Sequence, residues 1–338
     1  MSVGLDIGSK TVKAVELTGG EGRFSLRAVG AIGHANPPVD LQSSEKEISA
    51  LSETVKKLVS DARISGREVA ISIPETQTFT KIMKFPLLNE QEIDSAVKWG
   101  AEEHIPIPIS EAVVQHQIIE RRENANPPQT FVLLVAASRA LVEKYVRIAN
   151  LSGFEVTAVE TEMISIIRSS VDASKTSLVI DMGATSTDVA IAKGGRLYLS
   201  RSITTAGNAF TRVIEQSLGV SQSQADEYKR AYGLSEKSLE GKVGRALMPI
   251  FRTVADEAKK AVHYYNQETA GDNPVSVTLV GGSAGLPNAA ATLAKLLGYE
   301  VTIGDAFAKV SLDPNSKKEL SGYQPLYAVA AGLAMRKG

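Results

Sequence analysis

A short segment near the start of the chain carries residue types that could bind a polyphosphate. Within residues 3–17, two apolar runs flank an Asp-x-Gly-Ser turn. Gly8 permits a backbone conformation that a residue with a Cβ resists, and successive amides in such a turn can form an anion site. Asp6 could hold hydrated Mg²⁺, which prefers one or two carboxylates beside phosphate oxygens. The candidate phosphate ligands are Gly8, Ser9, Lys10, Thr11 and Lys13. Taken alone, the same turn is typical of an ordinary β-hairpin.

The segment returns 175 residues later, which favours the ligand-binding interpretation. Asp181 takes the place of Asp6 in this second copy. Gly183 likewise takes the place of Gly8. Because internal repeats set the architecture, two copies predict two similar lobes that each open with a meander. Two facing hairpins would clamp a nucleotide tail, with a metal between Asp6 and Asp181.

A third segment completes a nucleotide site. Residues 277–287 predict a buried strand that runs into a glycine turn and then a helix. The turn residues Gly281, Gly282 and Ser283 would let a flat ring and a ribose approach the backbone closely. The start of the following helix would favour negative charge.

These three segments, in this order, resemble the actin-like ATPase superfamily. The resemblance implies an α/β fold of two ribonuclease-H-like lobes that hold ATP and Mg²⁺ between them. It assigns Asp6, Ser9 and Lys13 to the first phosphate motif. The residues that it assigns to the second phosphate motif and to the adenosine motif are Asp181, Gly183, Ala184, Thr185, Gly281, Gly282 and Ser283.

Two further segments fit this superfamily. Residues 159–165 resemble the first interlobe connection, where an acidic or amide side chain orients the attacking water, and Glu162 is the candidate. Residues 225–233 resemble the helix that contacts the nucleoside in the filament proteins, which implies roles for Asp226 and Lys229. Asp226 stands where the superfamily usually has glutamate. With a single candidate for orienting water, we expect at most a slow Mg-dependent ATPase.

The composition excludes several classes of function. Lys+Arg number 37 and Asp+Glu 38, a balance that gives no reason to expect nucleic-acid binding. The 338 residues include no cysteine, which excludes disulfides and thiolate-bound iron–sulfur clusters. The chain begins without a secretion signal, and its most apolar run, 131–137, is far shorter than the ~20 residues of a membrane span. We therefore expect a cytoplasmic protein that reaches a membrane only through partners.

The predicted elements divide the chain into two lobes and an insert. Ser44 can cap a helix, and Asn89 begins another with Glu92 at capping-box spacing. Long helical patterns cover 239–269 and 286–297, and a small-residue helix at 323–335 is predicted to pack on the first lobe. The predicted domains are a first lobe at 1–78, 148–176 and 322–338, an inserted α+β subdomain at 79–147, and a second lobe at 177–321 with a nucleoside-contacting part at about 208–272.

The chain resembles the PilM family of actin-like proteins of type IV pilus assembly over essentially its whole length. The segments that carry the resemblance are 4–17, 102–108 and 330–336, and 102–108 is the most specific. The position of the insert is shared with the cell-division family FtsA. That family continues into an amphipathic membrane helix, whereas this chain stops at Gly338.

This resemblance implies an ATP-binding adaptor of type IV pilus or related secretion machinery at the inner membrane. Its partner would be the short cytoplasmic tail of the membrane protein PilN, held in a groove between the first lobe and the insert. Apolar positions at Phe85, Ile105 and Ile107 are candidates for the groove, with a role in the core as the alternative. Other functions that stay open are an FtsA-like filament-forming homologue, with self-association, and a small-molecule kinase of the same superfamily.

Overall fold

The computed structural model describes residues 2–20, 22–269 and 272–336. Its strands are β1 (Ser2–Ile7), β2 (Thr11–Gly20), β3 (Arg23–Gly33), β4 (Glu68–Ile73), β5 (Thr78–Phe85), β6 (Ala112–Arg122), β7 (Gln129–Ser138), β8 (Glu155–Thr161), β9 (Ser177–Met182), β10 (Thr187–Lys193), β11 (Arg196–Ile203), β12 (Ser276–Val280), β13 (Val301–Ile303) and β14 (Val310–Ser311). Its helices are α1 (Glu45–Asp61), α2 (Glu90–His104), α3 (Arg139–Leu151), α4 (Glu162–Ser170), α5 (Gly207–Leu218), α6 (Gln222–Tyr232), α7 (Lys242–Thr269), α8 (Ala289–Leu297), α9 (Pro314–Glu319) and α10 (Ala328–Ala334). Short 3-10 turns cover Glu75–Gln77, Ile109–Glu111, Ser238–Gly241 and Gln324–Tyr327.

Two sheets repeat one topology. In the first, the antiparallel meander β3-β2-β1 continues into β4 and β8, which run parallel to β1. In the second, the antiparallel meander β11-β10-β9 continues into β12 and β13, which run parallel to β9. The prediction of two similar lobes that each open with a meander is confirmed. The short strand β14 adds to β3 at the edge of the first sheet, although the predicted second lobe extends to residue 321.

The insert is a small sheet covered by one helix. Its order is β5-β7-β6, with both pairings antiparallel. Helix α2 starts at the predicted capping box of Asn89 and Glu92, and it buries Ile93 and Val97 against this sheet. Lys84 of the insert pairs with Glu268 of α7 at 2.8 Å, so the insert also contacts the second lobe. Helix α3 packs on α1 of the first lobe, and the exact domain boundaries stay a prediction.

The C-terminal helix α10 packs deep in the first lobe, as its small residues predict. A Cβ on Gly4 of β1 would lie 2.0 Å from the Ala330 carbonyl oxygen. A Cβ on Gly332 would lie 1.9 Å from the Ser165 carbonyl oxygen of α4. Because only glycine allows such approaches, α10 joins β1 to the helix that follows β8.

Three helix starts differ from the predictions. The helix predicted from 239 begins at Lys242, because Leu239 and Glu240 adopt left-handed backbone conformations with φ of 46° and 54°. The helix predicted from 286 begins at Ala289, after Asn288 in a left-handed conformation. In the C-terminal pattern, a 3-10 turn precedes the α-helix. Among the described residues, no helix is both long and apolar enough to cross a bilayer.

Candidate functional site

The first hairpin places a carboxylate and an ammonium group side by side. Asp6 stands opposite Lys13 across β1 and β2. The Gly8 amide closes the turn by donating a hydrogen bond to the Thr11 carbonyl oxygen at 3.1 Å. These contacts hold the turn of the first hairpin in place where it lines the cleft between the lobes.

The second hairpin repeats this geometry with different chemistry. Asp181 stands opposite Asp188 across β9 and β10. The Gly183 amide donates to the Ser186 carbonyl oxygen at 3.0 Å. Each partner follows its counterpart in the first hairpin by 175 residues, so the repeat extends to the hydrogen bonds.

The two hairpins meet at their tips. The Thr185 hydroxyl donates to the Ser9 hydroxyl oxygen at 3.1 Å. Behind the second hairpin, the Asn208 amide donates to the Ala184 carbonyl oxygen at 2.8 Å. Because the first amides of a helix have no partner within it, the start of α5 is well placed to hold this hairpin.

A buried ion pair lies at the base of the cleft. The Lys13 Nζ contacts Asp6 Oδ2 at 2.9 Å, and both side chains are largely buried. Burial opposes the charged form, but Asp6, Asp181 and Glu162 raise the pKa of Lys13 above its ordinary value. The second oxygen, Asp6 Oδ1, is buried without a hydrogen-bond partner. Such an orphaned oxygen fits a metal ligand, because buried carboxylates are otherwise paired.

Carboxylates accumulate around this pair. Burial raises the pKa of Asp181 to about 6; Lys13 opposes the shift and Asp6 adds to it. Burial, followed by the charge on Asp181, raises the pKa of Asp188 to about 7. Burial, followed by the charges of these aspartates, raises the pKa of Glu162 well above its ordinary value. The site therefore favours a cation, although no group of three or more acidic or histidine side chains in the described ranges is arranged as a metal site.

The glycine turn after β12 approaches the second hairpin very closely. Gly281 has a φ of +91°, and a Cβ there would lie 2.1 Å from Asp181 Oδ1. The Ser283 amide donates to the Met182 carbonyl oxygen at 3.0 Å. At Gly282 a Cβ would meet its first atom only at 3.6 Å, so this glycine has room beside it.

Helix α6 brings an acid and a base to the other wall of the cleft. Lys229 Nζ contacts Asp226 Oδ1 at 2.6 Å and donates to Thr211 Oγ1 of α5 at 2.8 Å. Burial acts to raise the pKa of Asp226, but Lys229 and Arg230 hold it below its ordinary value. Asp226 is therefore charged and fixed at neutral pH.

One cleft of about 1060 Å³ contains every residue that the sequence predicts for the site. Their roles stay predictions. They are Asp6, Gly8, Ser9, Lys10, Thr11, Lys13, Glu162, Asp181, Gly183, Ala184, Thr185, Asp226, Lys229, Gly281, Gly282 and Ser283.

Sequence reasoning missed several residues at this site. Asp188 could have been found, because it follows Lys13 by the repeat offset. His34, whose Nε2 donates to the Gly8 carbonyl oxygen at 2.9 Å, carries no such signal. Glu75 is also absent from the predicted set, although its amide donates to the Glu162 carboxylate at 3.2 Å.

The groove candidates separate into core and surface. Ile105 is buried in the core of the insert with Ile93 and Val132. Phe85 and Ile107 are half-buried at the edge of the same core. The alternative role in the core therefore fits Ile105 best.

Comparison with known proteins gives the same picture over the whole chain. Residues 4–338 match the sequence model of a family described as type IV pilus assembly protein PilM. A solved PilM–PilN type IV pilus biogenesis complex aligns with a TM-score of 0.84 and 25% identity, covering 99% of this chain and 98% of that one.

Two more distant structures share the fold. The ethanolamine utilization protein EutJ from Carboxydothermus hydrogenoformans aligns with a TM-score of 0.60 and 17% identity, covering 98% of this chain and 88% of that one. MreB5 of Spiroplasma citri bound to AMPPNP aligns with a TM-score of 0.56 and 16% identity, covering 98% of this chain and 94% of that one. The predicted actin-like, two-lobed α/β fold is confirmed.

Proposed function

The chain belongs to the PilM family of type IV pilus assembly proteins, and we propose that it is an ATP-binding adaptor that holds the N-terminal tail of PilN. The observation that carries this proposal is the match over nearly both whole chains to a PilM–PilN complex. An adaptor of this kind lies at the inner membrane through its partner, and its own chain stays in the cytoplasm.

The nucleotide would bind in the cleft between the lobes. The hydroxyls of Ser9, Thr11 and Thr185 and the ammonium of Lys13 line its floor, where a polyphosphate needs donors. The glycine turn and the Asp226–Lys229 pair line the part that would receive the nucleoside. The supporting observation is that one cavity holds all three motifs.

Asp6 and Asp181 would hold Mg²⁺. The unpartnered Asp6 Oδ1 and the raised pKa of Asp181 support this assignment, because both carboxylates would gain a favourable partner in a divalent cation. When bound, the ion neutralises phosphate charge. Lys13, already paired with Asp6, adds a fixed positive charge beside it.

Hydrolysis would depend on Glu162. Its carboxylate accepts a hydrogen bond from the Glu75 amide, which leaves its other oxygen to orient a water. Burial and the neighbouring carboxylates raise the pKa of Glu162 well above its ordinary value, so its surroundings disfavour the charged form that would orient a water. This supports at most a slow ATPase.

The PilN tail would bind in a groove between the first lobe and the insert. Phe85 and Ile107, half-buried at the edge of the insert core, support this location. A filament-forming homologue and a small-molecule kinase are not favoured, because the family and the PilM–PilN complex both match over the whole length.

Calorimetry tests the adaptor directly. A synthetic peptide of the PilN N-terminus, and a scrambled peptide as the control, are titrated into the full chain with and without Mg-ATP. We expect specific binding of the native sequence. Equal binding of both peptides, or none, would refute the adaptor role.

A second titration tests the cleft. Asp6→Asn should abolish Mg-dependent ATP binding, whereas Asp61→Asn, at the exposed end of α1, should leave it unchanged. Unchanged Mg-ATP affinity in Asp6→Asn would refute the proposed metal ligand.

A further inference from the structure

Two helical turns begin face to face beside the cleft, and each supplies a carboxylate to the other. Glu75 begins a 3-10 turn after β4, and Glu162 begins α4. The Glu75 amide donates to Glu162 Oε2 at 3.2 Å, and the Met163 amide donates to Glu75 Oε1 at 3.1 Å. Since amides at helix starts lack partners within their helix, this exchange fixes the Glu162 carboxylate relative to Glu75.

The other carboxylate oxygen of Glu75 contacts the second lobe. Ser200 of β11 donates its hydroxyl to Glu75 Oε2 at 2.8 Å. The Thr80 hydroxyl of β5 lies 2.8 Å from the Ser200 hydroxyl. Because the single Ser200 hydroxyl proton is used on Glu75, Thr80 is the donor in the second bond. A continuous chain of hydrogen bonds therefore runs from Glu162 to the first strand of the insert.

Glu75 is built into this position. Glu75 is only 5% exposed, and burial raises the pKa of its carboxyl. A buried carboxyl that loses a partner leaves an unsatisfied polar atom, so its bonds are expensive to break. The far end is less constrained, because a cavity of about 290 Å³ lies where Thr80 and Ser200 meet, between the insert and the second lobe.

We propose that Glu75 is a positioning residue that holds Glu162 and, through Ser200 and Thr80, couples the occupied cleft to the insert. These hydrogen bonds connect three parts of the molecule: the first lobe at Glu75, the second lobe at Ser200 and the insert at Thr80. A nucleotide that changes the separation of the lobes must therefore move or strain the first strand of the insert. This inference rests on the proposed function, and it names how nucleotide binding regulates the surface that receives PilN.

Hydrogen exchange of β5 with and without Mg-ATP tests the coupling. In the wild-type chain, we expect Mg-ATP to change exchange in 78–85 by at least about three-fold. Thr80→Val is close in shape and removes only the last bond, so it should lose this effect while its Mg-ATP affinity stays within about three-fold. The matched control is Thr302→Val on β13, which should behave as the wild type.

Variants at Glu75 separate positioning from mere support of the fold. Glu75→Ala removes the side-chain hydrogen bonds to Met163 and Ser200 and should lose the effect of Mg-ATP on 78–85. Glu75→Gln can still accept from Met163 and can donate to Ser200, so it should restore most of that effect. The proposal is overturned if Mg-ATP does not change hydrogen exchange in 78–85 of the wild type. It is also overturned if Thr80→Val shows the full wild-type change.

Calorimetry with the PilN peptide distinguishes the two levels of failure. Wild-type affinity for the peptide should differ between the apo and Mg-ATP states by at least about five-fold, and Thr80→Val should bring the two values together. Tight peptide binding without any nucleotide dependence would leave the adaptor standing and refute the coupling. If the peptide does not bind in either state, the adaptor fails, and the exchange measurement still decides whether Glu75 couples the cleft to the insert.

Discussion

Lys13 and Asp188 occupy equivalent positions in the two hairpins of the cleft. Lys13 stands opposite Asp6 across β1 and β2, and Asp188 stands opposite Asp181 across β9 and β10. The same backbone thus presents an ammonium group from one lobe and a carboxylate from the other. The second lobe contributes two acids to a buried site, and this excess of negative charge is what a divalent cation would balance.

The stability of the metal-free protein should therefore decrease as the pH rises. Because burial and Asp181 raise the pKa of Asp188 from 3.8 to about 7, the folded state binds a proton that the unfolded chain has already released. Stability from this group is complete below about pH 4 and is lost as the pH rises to about 7. Asp188→Asn removes this titration. At pH 8 we therefore expect the free energy of unfolding of the variant to be ~1 to 3 kcal/mol higher than that of the wild type. Urea unfolding in EDTA at several pH values measures this.

The control for this series is Asp256→Asn, an exposed aspartate on α7. It should keep the wild-type pH dependence. If Asp188→Asn is less stable than the wild type at pH 8 and keeps the wild-type slope, repulsion between the buried acids does not set the stability of the cleft.

The hairpins and the helix caps could be predicted because their signals are local. The Asp-x-Gly turn at Gly8 lies between two apolar runs, and Asn89 with Glu92 forms a capping box within four residues. The repeat then predicts the overall topology: because the hairpin of Asp6 recurs at Asp181, the chain is expected to form two similar lobes.

The contacts around Glu75 could not be predicted in this way. It reaches Glu162 across 87 residues of sequence and Ser200 across 125, and neither spacing carries a pattern. The start of α7 was missed for a different reason. Leu239 has an apolar side chain at helical spacing, but its backbone is left-handed, which no propensity rule predicts for leucine.

The glycine turn offers two substitutions with different outcomes. Gly281→Ala puts a Cβ 2.1 Å from Asp181 Oδ1 in a backbone conformation that alanine resists, so it should lower both stability and nucleotide affinity. Gly282→Ala has space, so it should keep its melting temperature within about 2 °C and lose nucleotide affinity only if the nucleoside lies against this backbone. Thermal unfolding and titration with a fluorescent ATP analogue measure both effects. Wild-type behaviour of Gly281→Ala in both assays would contradict the observed turn.

Glu162→Gln should separate hydrolysis from binding. The glutamine can still accept from the Glu75 amide, so Mg-ATP affinity should stay within about three-fold, while phosphate release should decrease by at least about ten-fold. Because burial, followed by the neighbouring carboxylates, raises the pKa of Glu162, wild-type release should increase as the pH rises through the pKa of this group, and the variant should lose this dependence. Glu143→Gln, at an exposed position of α3, is the control. Equal rates in Glu162→Gln and the wild type would remove Glu162 from the reaction.

The insert provides the sharpest test of where the PilN tail binds, because two isoleucines that are two residues apart differ in burial. Ile105→Ala removes a buried side chain from the insert core and should cost about 2 to 4 kcal/mol of stability. Ile107→Ala, at a half-buried position, should cost less than about 1.5 kcal/mol of stability and weaken binding of the PilN peptide by about ten-fold, since a few residues carry most of the binding energy of an interface. Ile303→Ala, 49% exposed on β13, is the matched control and should change neither quantity. If Ile107→Ala and Phe85→Ala both bind the peptide with wild-type affinity, the tail does not use this edge of the insert.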